Sequence, residues 1–202
     1  MNRSIRAVLG GVAALALTTG GLSTAAATEK LTKEVTPWQS IDADYVLPAG
    51  SACAHDVKVK ERGRARDTVY RNAEGEIVKV FSEYGNRSTV RFSATVKKHH
   101  KKVTRSIKLN EGGDSWVYVK GDGKVFVKAE GANWGQGVGI YGIPWSNGDI
   151  TFTVLGDGDP EKQRIVNLDF VDVKRVIQVC YKIGSRPVAG KNVPPAGGDS
   201  AT

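Results

Sequence analysis

Apolar residues recur at every second position along most of this chain, which is the period of a half-buried β-strand. Val90, Phe92, Ala94 and Val96 fall on one face, and Arg91, Ser93, Thr95 and Lys97 fall on the other. Val57 and Val59 alternate in the same way with Asp56, Lys58 and Lys60, and Trp116 and Tyr118 with Val117 and Val119. Val125 and Val127 alternate with Phe126 and Lys128, Ile150, Phe152 and Val154 with Thr151 and Thr153, and Val166, Leu168 and Phe170 with Asn167 and Asp169. Clusters of Gly, Asn, Asp and Ser at 72–75, 84–86, 121–123, 146–148 and 156–160 separate these runs and read as turns. No window carries the period of an amphipathic helix. The pattern predicts an all-β fold: a single antiparallel barrel-like or sandwich domain of about eight to ten strands.

The ends of the chain have a different texture. Residues 1–27 read as a secretory signal peptide, with Arg3 and Arg6 ahead of an apolar stretch and Ala25, Ala26 and Ala27 as a small-residue cleavage site. As a membrane anchor the stretch is too short and too broken by glycine, since a spanning helix needs about 20 apolar residues. No twin-arginine pair and no cysteine at the cleavage site direct it to another route. Residues 28–40 are polar and read as a loose N-terminal segment, 41–184 as the β domain, and 185–202, rich in Pro, Gly and Ala, as a flexible tail. The expected product is secreted, soluble and extracellular, without a membrane span.

Cys53 and Cys180 are the only cysteines, so an exported chain has one intramolecular disulfide available to it. They lie near the start and near the end of the β region. A closed meander with an even number of strands sets its first and last strands side by side, where a disulfide is within reach. A sandwich also permits the bond. The expectation is therefore a domain closed by one disulfide, with a barrel preferred.

The chain has 29 basic and 21 acidic residues and a net charge of +8. The signal contains two of the basic residues and no acidic one, so its removal lowers that charge by two. The excess favours an anionic partner, such as an anionic polymer or a cell-wall component. The densest cluster is Lys97, Lys98, His99, His100, Lys101 and Lys102, which falls between two strong β runs and reads as the tip of a basic hairpin. Such a tip can hold phosphate or sulfate groups, or simply keep an edge from pairing. Aromatic residues do not interleave it, so it is not a specific nucleic-acid motif.

Catalytic and cofactor chemistry finds little support. Neighbouring His99 and His100 chelate poorly, and no Cys or His spacing matches a zinc site, so no metal is expected. The glycines at 137, 139 and 142 form a G-x-G-x-x-G string with no helix after it, which excludes a dinucleotide site and leaves no cofactor implied. His55 shares a face with Val57 and Val59 and has no nameable partner. Strict alternation places Arg105 with Val103, Ile107 and Leu109, either lining a pocket or shifted outward by a bulge. Trp116, Tyr118, Trp134 and Tyr141 are candidates for the wall of a cavity, with core packing as their default role.

Several short pieces carry a resemblance. Ala49-Gly50-Ser51-Ala52-Cys53-Ala54-His55-Asp56-Val57 resembles the opening of a group of secreted actinobacterial β-rich proteins of unknown function, with His55 where an aromatic is usual. Val171-Asp172-Val173 and Val179-Cys180-Tyr181 resemble that group's closing strand, and Gly131-Ala132-Asn133-Trp134 its turn. The resemblance implies export, β-richness and paired cysteines, and offers no activity. The first functional expectation is an extracellular binding module for an anionic polymer or surface. The alternatives are a small-molecule carrier or isomerase-like barrel with an aromatic-lined cavity, and a structural cell-envelope protein.

Overall fold

The computed structural model describes residues 30–120, 124–135, 140–155 and 164–189. The segment read as a signal, most of the tail, the turns at 121–123 and 156–160, and the first part of the glycine string lie outside these residues.

The alternating runs form eleven strands: β1 (Thr32–Val35), β2 (Gln39–Leu47), β3 (Val57–Arg71), β4 (Ile77–Tyr84), β5 (Thr89–Lys98), β6 (Lys101–Asn110), β7 (Asp114–Val119), β8 (Val125–Glu130), β9 (Ala132–Trp134), β10 (Pro144–Leu155) and β11 (Arg164–Gln178). A single helical turn, α1 (Val179–Lys182), follows the last. They make one antiparallel sheet in the order β11-β10-β8-β7-β4-β3-β5-β6, with β1 and β2 also on β3 and β9 on β10.

The long strand β3 organises this order. On one side it pairs with β2 and then β1, and on the other with β5 and then β4. The turn expected at 84–86 is present: Ser88 N donates to Gly85 O at 2.8 Å, and the turn links β4 and β5, which both run antiparallel to β3. Gly63 of β3 lies opposite that turn, where a Cβ would come within 2.7 Å of the Ser88 Cα. Glycine is thus required by the close approach of two backbones.

The sheet does not close into a barrel. β6 pairs with β5 and β11 with β10, and these two strands end the order without bonding to each other. They meet through side chains. One core cluster joins Leu47, Val57, Val59, Val90 and Phe92 with Trp134, Trp145, Ile177 and Val179. A second, formed by Val80, Val117, Val127, Ile150, Phe152 and Ile165 among others, lies under β4, β7, β8 and β10. Long strands absorb the curvature through irregularities. β10 and β11 slip register between Asn147 and Gly148, where β11 carries the extra residue Lys174, so Gly148 lies within β10 opposite a bulge and not in the turn expected at 146–148.

Cys53 and Cys180 are bonded, with Cα atoms 5.7 Å apart. The bond is not made between neighbouring terminal strands. Cys180 belongs to α1, and Cys53 to the loop before β3, where it forms an isolated bridge with Pro187. Ala54 N donates to Arg186 O and Val188 N to Ala52 O, so part of the segment read as tail is stitched to this loop. The polar stretch read as loose holds all of β1 and the start of β2. Thr36 N and Thr36 Oγ1 donate to Asp67 O, which fixes the corner between them.

Two outcomes are expected from this architecture. The substitution Gly63→Ala lowers the stability to chemical denaturation by about 1–3 kcal/mol, because two backbones must separate. Replacing Cys53 and Cys180 together by serine lowers it by about 4–5 kcal/mol, since the bond closes a loop of 127 positions. Urea titration followed by tryptophan fluorescence measures both.

Candidate functional site

The even-numbered residues of β3 from Lys58 to Arg66 are all basic: Lys58, Lys60, Arg62, Arg64 and Arg66. Period-two geometry puts them on the outer face, about 6.6 Å apart, while Val57, Val59 and Glu61 turn inward. The same rule sends Arg91, Ser93, Thr95 and Lys97 of β5 outward, with Lys102, Thr104, Ser106 and Lys108 of β6. The β5–β6 ladder keeps unbroken register from Thr89 opposite Asn110 to Lys98 opposite Lys101. The basic cluster 97–102 is therefore the tip of a long hairpin. His99 and His100 are its two turn residues, both at positive φ (48° and 65°), as a two-residue hairpin loop requires.

Register sorts the outer face into rows. Lys60 is opposite Arg91, which is opposite Lys108. Lys58 is likewise opposite Ser93, which is opposite Ser106. Beyond these lies Thr95 opposite Thr104, their hydroxyls 2.9 Å apart, and then Lys97 opposite Lys102. Two cation rows, Lys60–Arg91–Lys108 and Lys97–Lys102, thus flank two rows that carry the hydroxyls, and no acidic side chain stands on this face of β3, β5 and β6. A groove of about 440 Å³ runs over it, lined by Lys60, Arg62, Arg91 and Lys108 with Thr89, Ser93, Thr104 and Ser106.

Acidic groups reach the groove only from its β2 side. Lys60 Nζ lies 2.8 Å from Asp44 Oδ2, and Arg62 Nη1 lies 2.8 Å from Asp44 Oδ1 and 3.0 Å from Asp42 Oδ1. Hydrogen bonds from Lys60 and Arg62 hold the Asp44 carboxyl below its ordinary range. These pairs are well exposed, so each is worth little. Arg91 and Lys108 have no ion pair among the described residues. Like charges directly opposite one another across a sheet are unfavourable, so the middle row is a position where an anion would relieve repulsion.

The other candidate residues scatter. Arg105 faces the same way as Val103 and Ile107, as alternation required, and no bulge moves it. Its stem passes over Gly184, where an added Cβ would lie 3.0 Å from Arg105 Cδ, and the residue is exposed to solvent. Trp134 is buried and packs edge-on against Phe92 at 4.9 Å between ring centroids. Tyr141 is 60% exposed. Trp116 and Tyr118 belong to neither core cluster and stand on the outer face of β7. The cavity that Trp134 does line, with Ser115, Val127, Phe152 and Phe170, measures about 40 Å³. Small-molecule pockets run to about 300–1,000 Å³, so this space gives the carrier reading no support.

Sequence reasoning missed two further features. His55 has a partner after all: Ser185 Oγ accepts the His55 backbone N–H at 3.1 Å and lies 3.0 Å from Nδ1. This hydroxyl ties residue 185 to the disulfide loop. The second is a buried pair of acids under the basic face. Tyr45 OH donates to Glu61 Oε1 at 2.8 Å, and Trp134 Nε1 donates to Glu111 Oε1 at 2.8 Å. Burial, with Glu61 nearby, pushes the Glu111 carboxyl up to about 8. It is therefore a neutral acid at pH 7, holding Trp134 without adding charge to the core. Burial and the neighbouring Glu61 also hold the Tyr45 phenol well above its usual range.

No family model matches the chain, and neither the curated proteins nor the solved structures yield a match.

The buried acid fixes a pH dependence. Folded protein holds the Glu111 proton to about pH 8, whereas the unfolded chain releases it near 4.5. Raising the pH between those values therefore favours unfolding, by up to about 1.4 kcal/mol per unit. Glu111→Gln keeps an acceptor for Trp134 and removes the proton. Its urea stability measured from pH 5 to 9 is expected to lose this falling component, and to exceed wild type at the alkaline end.

Proposed function

We propose that this is a secreted, extracellular binding protein that holds an anionic polymer across the outer face of β3, β5 and β6. The observation that carries the reading is the Lys60–Arg91–Lys108 row, three cations set opposite one another in register on the floor of a groove. The fold does not need this arrangement, which costs stability through repulsion. Serine and threonine rows on either side add hydrogen-bond donors for sulfate, phosphate or carboxylate oxygens. Lys97 and Lys102 extend the same face toward the hairpin tip, with Lys98 and Lys101 at the turn. The cell-wall polymers outside a cell supply ligands of this charge, and the disulfide is compatible with that oxidising setting.

The test couples binding to stability. An ion contact in water is worth about 1 kcal/mol, so replacing Arg91 and Lys108 by glutamine removes about 2 kcal/mol of attraction. Affinity for heparin at low salt is expected to fall about thirtyfold. The same substitutions relieve cross-strand repulsion and leave the thermal midpoint equal to or above that of wild type. Affinity chromatography with calorimetric melting reads both quantities. Unchanged heparin retention in this variant would remove the groove as the site.

A further inference from the structure

The outer face of the sheet does not stay basic along its length. Beyond Arg66 on β3 it turns aromatic. Tyr70, Phe81, Trp116, Tyr118 and Phe126, from β3, β4, β7 and β8, form a continuous stripe there. Successive ring centroids are 4.4 to 6.1 Å apart, and the ring planes lie within 24° to 40° of one another. None of the five belongs to either core cluster, and all are half-buried. The stripe crosses three strand spacings, about 14 Å. Directly opposed aromatic pairs, here Phe81 with Trp116 and Tyr118 with Phe126, modestly stabilise a sheet, so the stripe serves the fold as well as leaving ring surface partly exposed.

The stripe and the basic groove are one surface. Trp38 joins them, with the Arg64 and Arg66 guanidinium groups 4.7 and 4.9 Å from its ring centre. Lys79 lies 4.4 Å from the Tyr70 ring centre and 5.3 Å from that of Trp116, which carries positive charge into the aromatic region. The rim of the stripe is polar, with Arg66 paired to Glu83 and Lys128 to Glu130. A pyranose ring presents an apolar C–H face to stack on aromatic rings, and its hydroxyls both donate to carboxylates and accept from amines. Carboxylate or sulfate groups further along the chain would meet the cation rows.

We infer that the aromatic stripe is a saccharide-stacking platform, and that the polymer held in the groove is an anionic polysaccharide. This rests on the polyanion reading and narrows it to one chemical class. Groove and stripe make different demands: any anionic polymer satisfies the first, and only one made of sugar rings satisfies the second.

The experiment compares a heparin oligosaccharide with polyphosphate of matched charge, by calorimetric titration of wild type and of Trp116→Leu. Wild type is expected to bind heparin more tightly than polyphosphate. Trp116→Leu is expected to lose about tenfold in heparin affinity while holding polyphosphate unchanged, which also shows that its groove is intact. Should that variant fail to fold, the same contrast is read on wild type, where the ring-proton signals of Trp116 and Tyr118 shift with heparin and stay in place with polyphosphate. Equal losses for both polymers, or ring signals that ignore heparin, overturn the stacking platform and leave the groove standing. A free protein whose sedimentation changes in Trp116→Leu with heparin affinity unmoved assigns the stripe to a second copy of the chain and overturns it too. Wild type that binds neither polymer removes the groove and the platform together.

Discussion

Everything distinctive about this molecule depends on the register of β3. Fifteen residues of one strand carry four partners, two on each side, so each residue from Val57 to Arg71 has a fixed face. Side chains alternate with a period of two, so a slip of one residue would bury Lys58, Lys60, Arg62, Arg64 and Arg66 and expose Val57 and Val59. Burying those charges unpaired is far costlier than exposing two valines. The sequence thus fixes the register twice, by what it buries and by what it cannot bury. Gly63 adds the third element, leaving room for Ser88 in the turn between β4 and β5, so that both strands fit beside β3 end to end.

From that register follow the two sides of the sheet. Inside, Phe92, Trp134 and their neighbours make an apolar core crossed by two polar links, Tyr45 to Glu61 and Trp134 to Glu111. Neutralising Glu111 costs less than ionising it beside Glu61, and its retained proton lets the core hold a carboxyl. Outside, the same strands expose cations at one end and aromatic rings at the other. The disulfide and the bridges at Cys53–Pro187 and Tyr141–Ala189 hold the end of the chain against this frame, so α1 seals the core where β11 ends. The strands that end the order, β6 and β11, are joined by packing, with Ile107 and Leu109 of β6 against the cluster that holds Ile177 of β11, while the covalent bond ties α1 to the loop before β3.

Much of this was legible in the residues, and the rest failed for identifiable reasons. The β5–β6 hairpin followed directly from alternation, since one of its faces is buried and the other is wet. β1 escaped notice because a strand exposed on both faces carries no alternation. Barrel closure was inferred from cysteines assumed to lie on adjacent terminal strands, whereas they lie in a loop and a helical turn, where pairing order says nothing about them. Gly148 reads as a turn residue because glycine serves a strand facing a bulge and a hairpin equally well. The basic file of β3 is visible in the alternation from Lys58 to Arg66, but apolar partners mark it as a strand only as far as Lys60, where the valines end. Trp116 and Tyr118 were given to a cavity because aromatic residues are usually buried; only the neighbouring Val117, in the core, shows which face they take.

Position within the sheet separates ligand binding from protection against aggregation as the reason for the charge. Lysines on an exposed edge strand discourage pairing with another chain, and β6 is such an edge, so Lys101, Lys102 and Lys108 would have a use with no ligand at all. Arg91 has none of that use. It sits on β5, bonded to β3 on one side and β6 on the other, and its strand offers no free edge to protect. Lys60 is equally internal, between β2 and β5. A threonine or serine would satisfy the pleat at both places, as Thr89, Ser93 and Thr95 do along the same strand face. Lys60 is met by Asp44, whereas Arg91 has no ion pair among the described residues, so Arg91 is the internal cation that edge protection does not explain and the charge that an anion in the groove would stabilise.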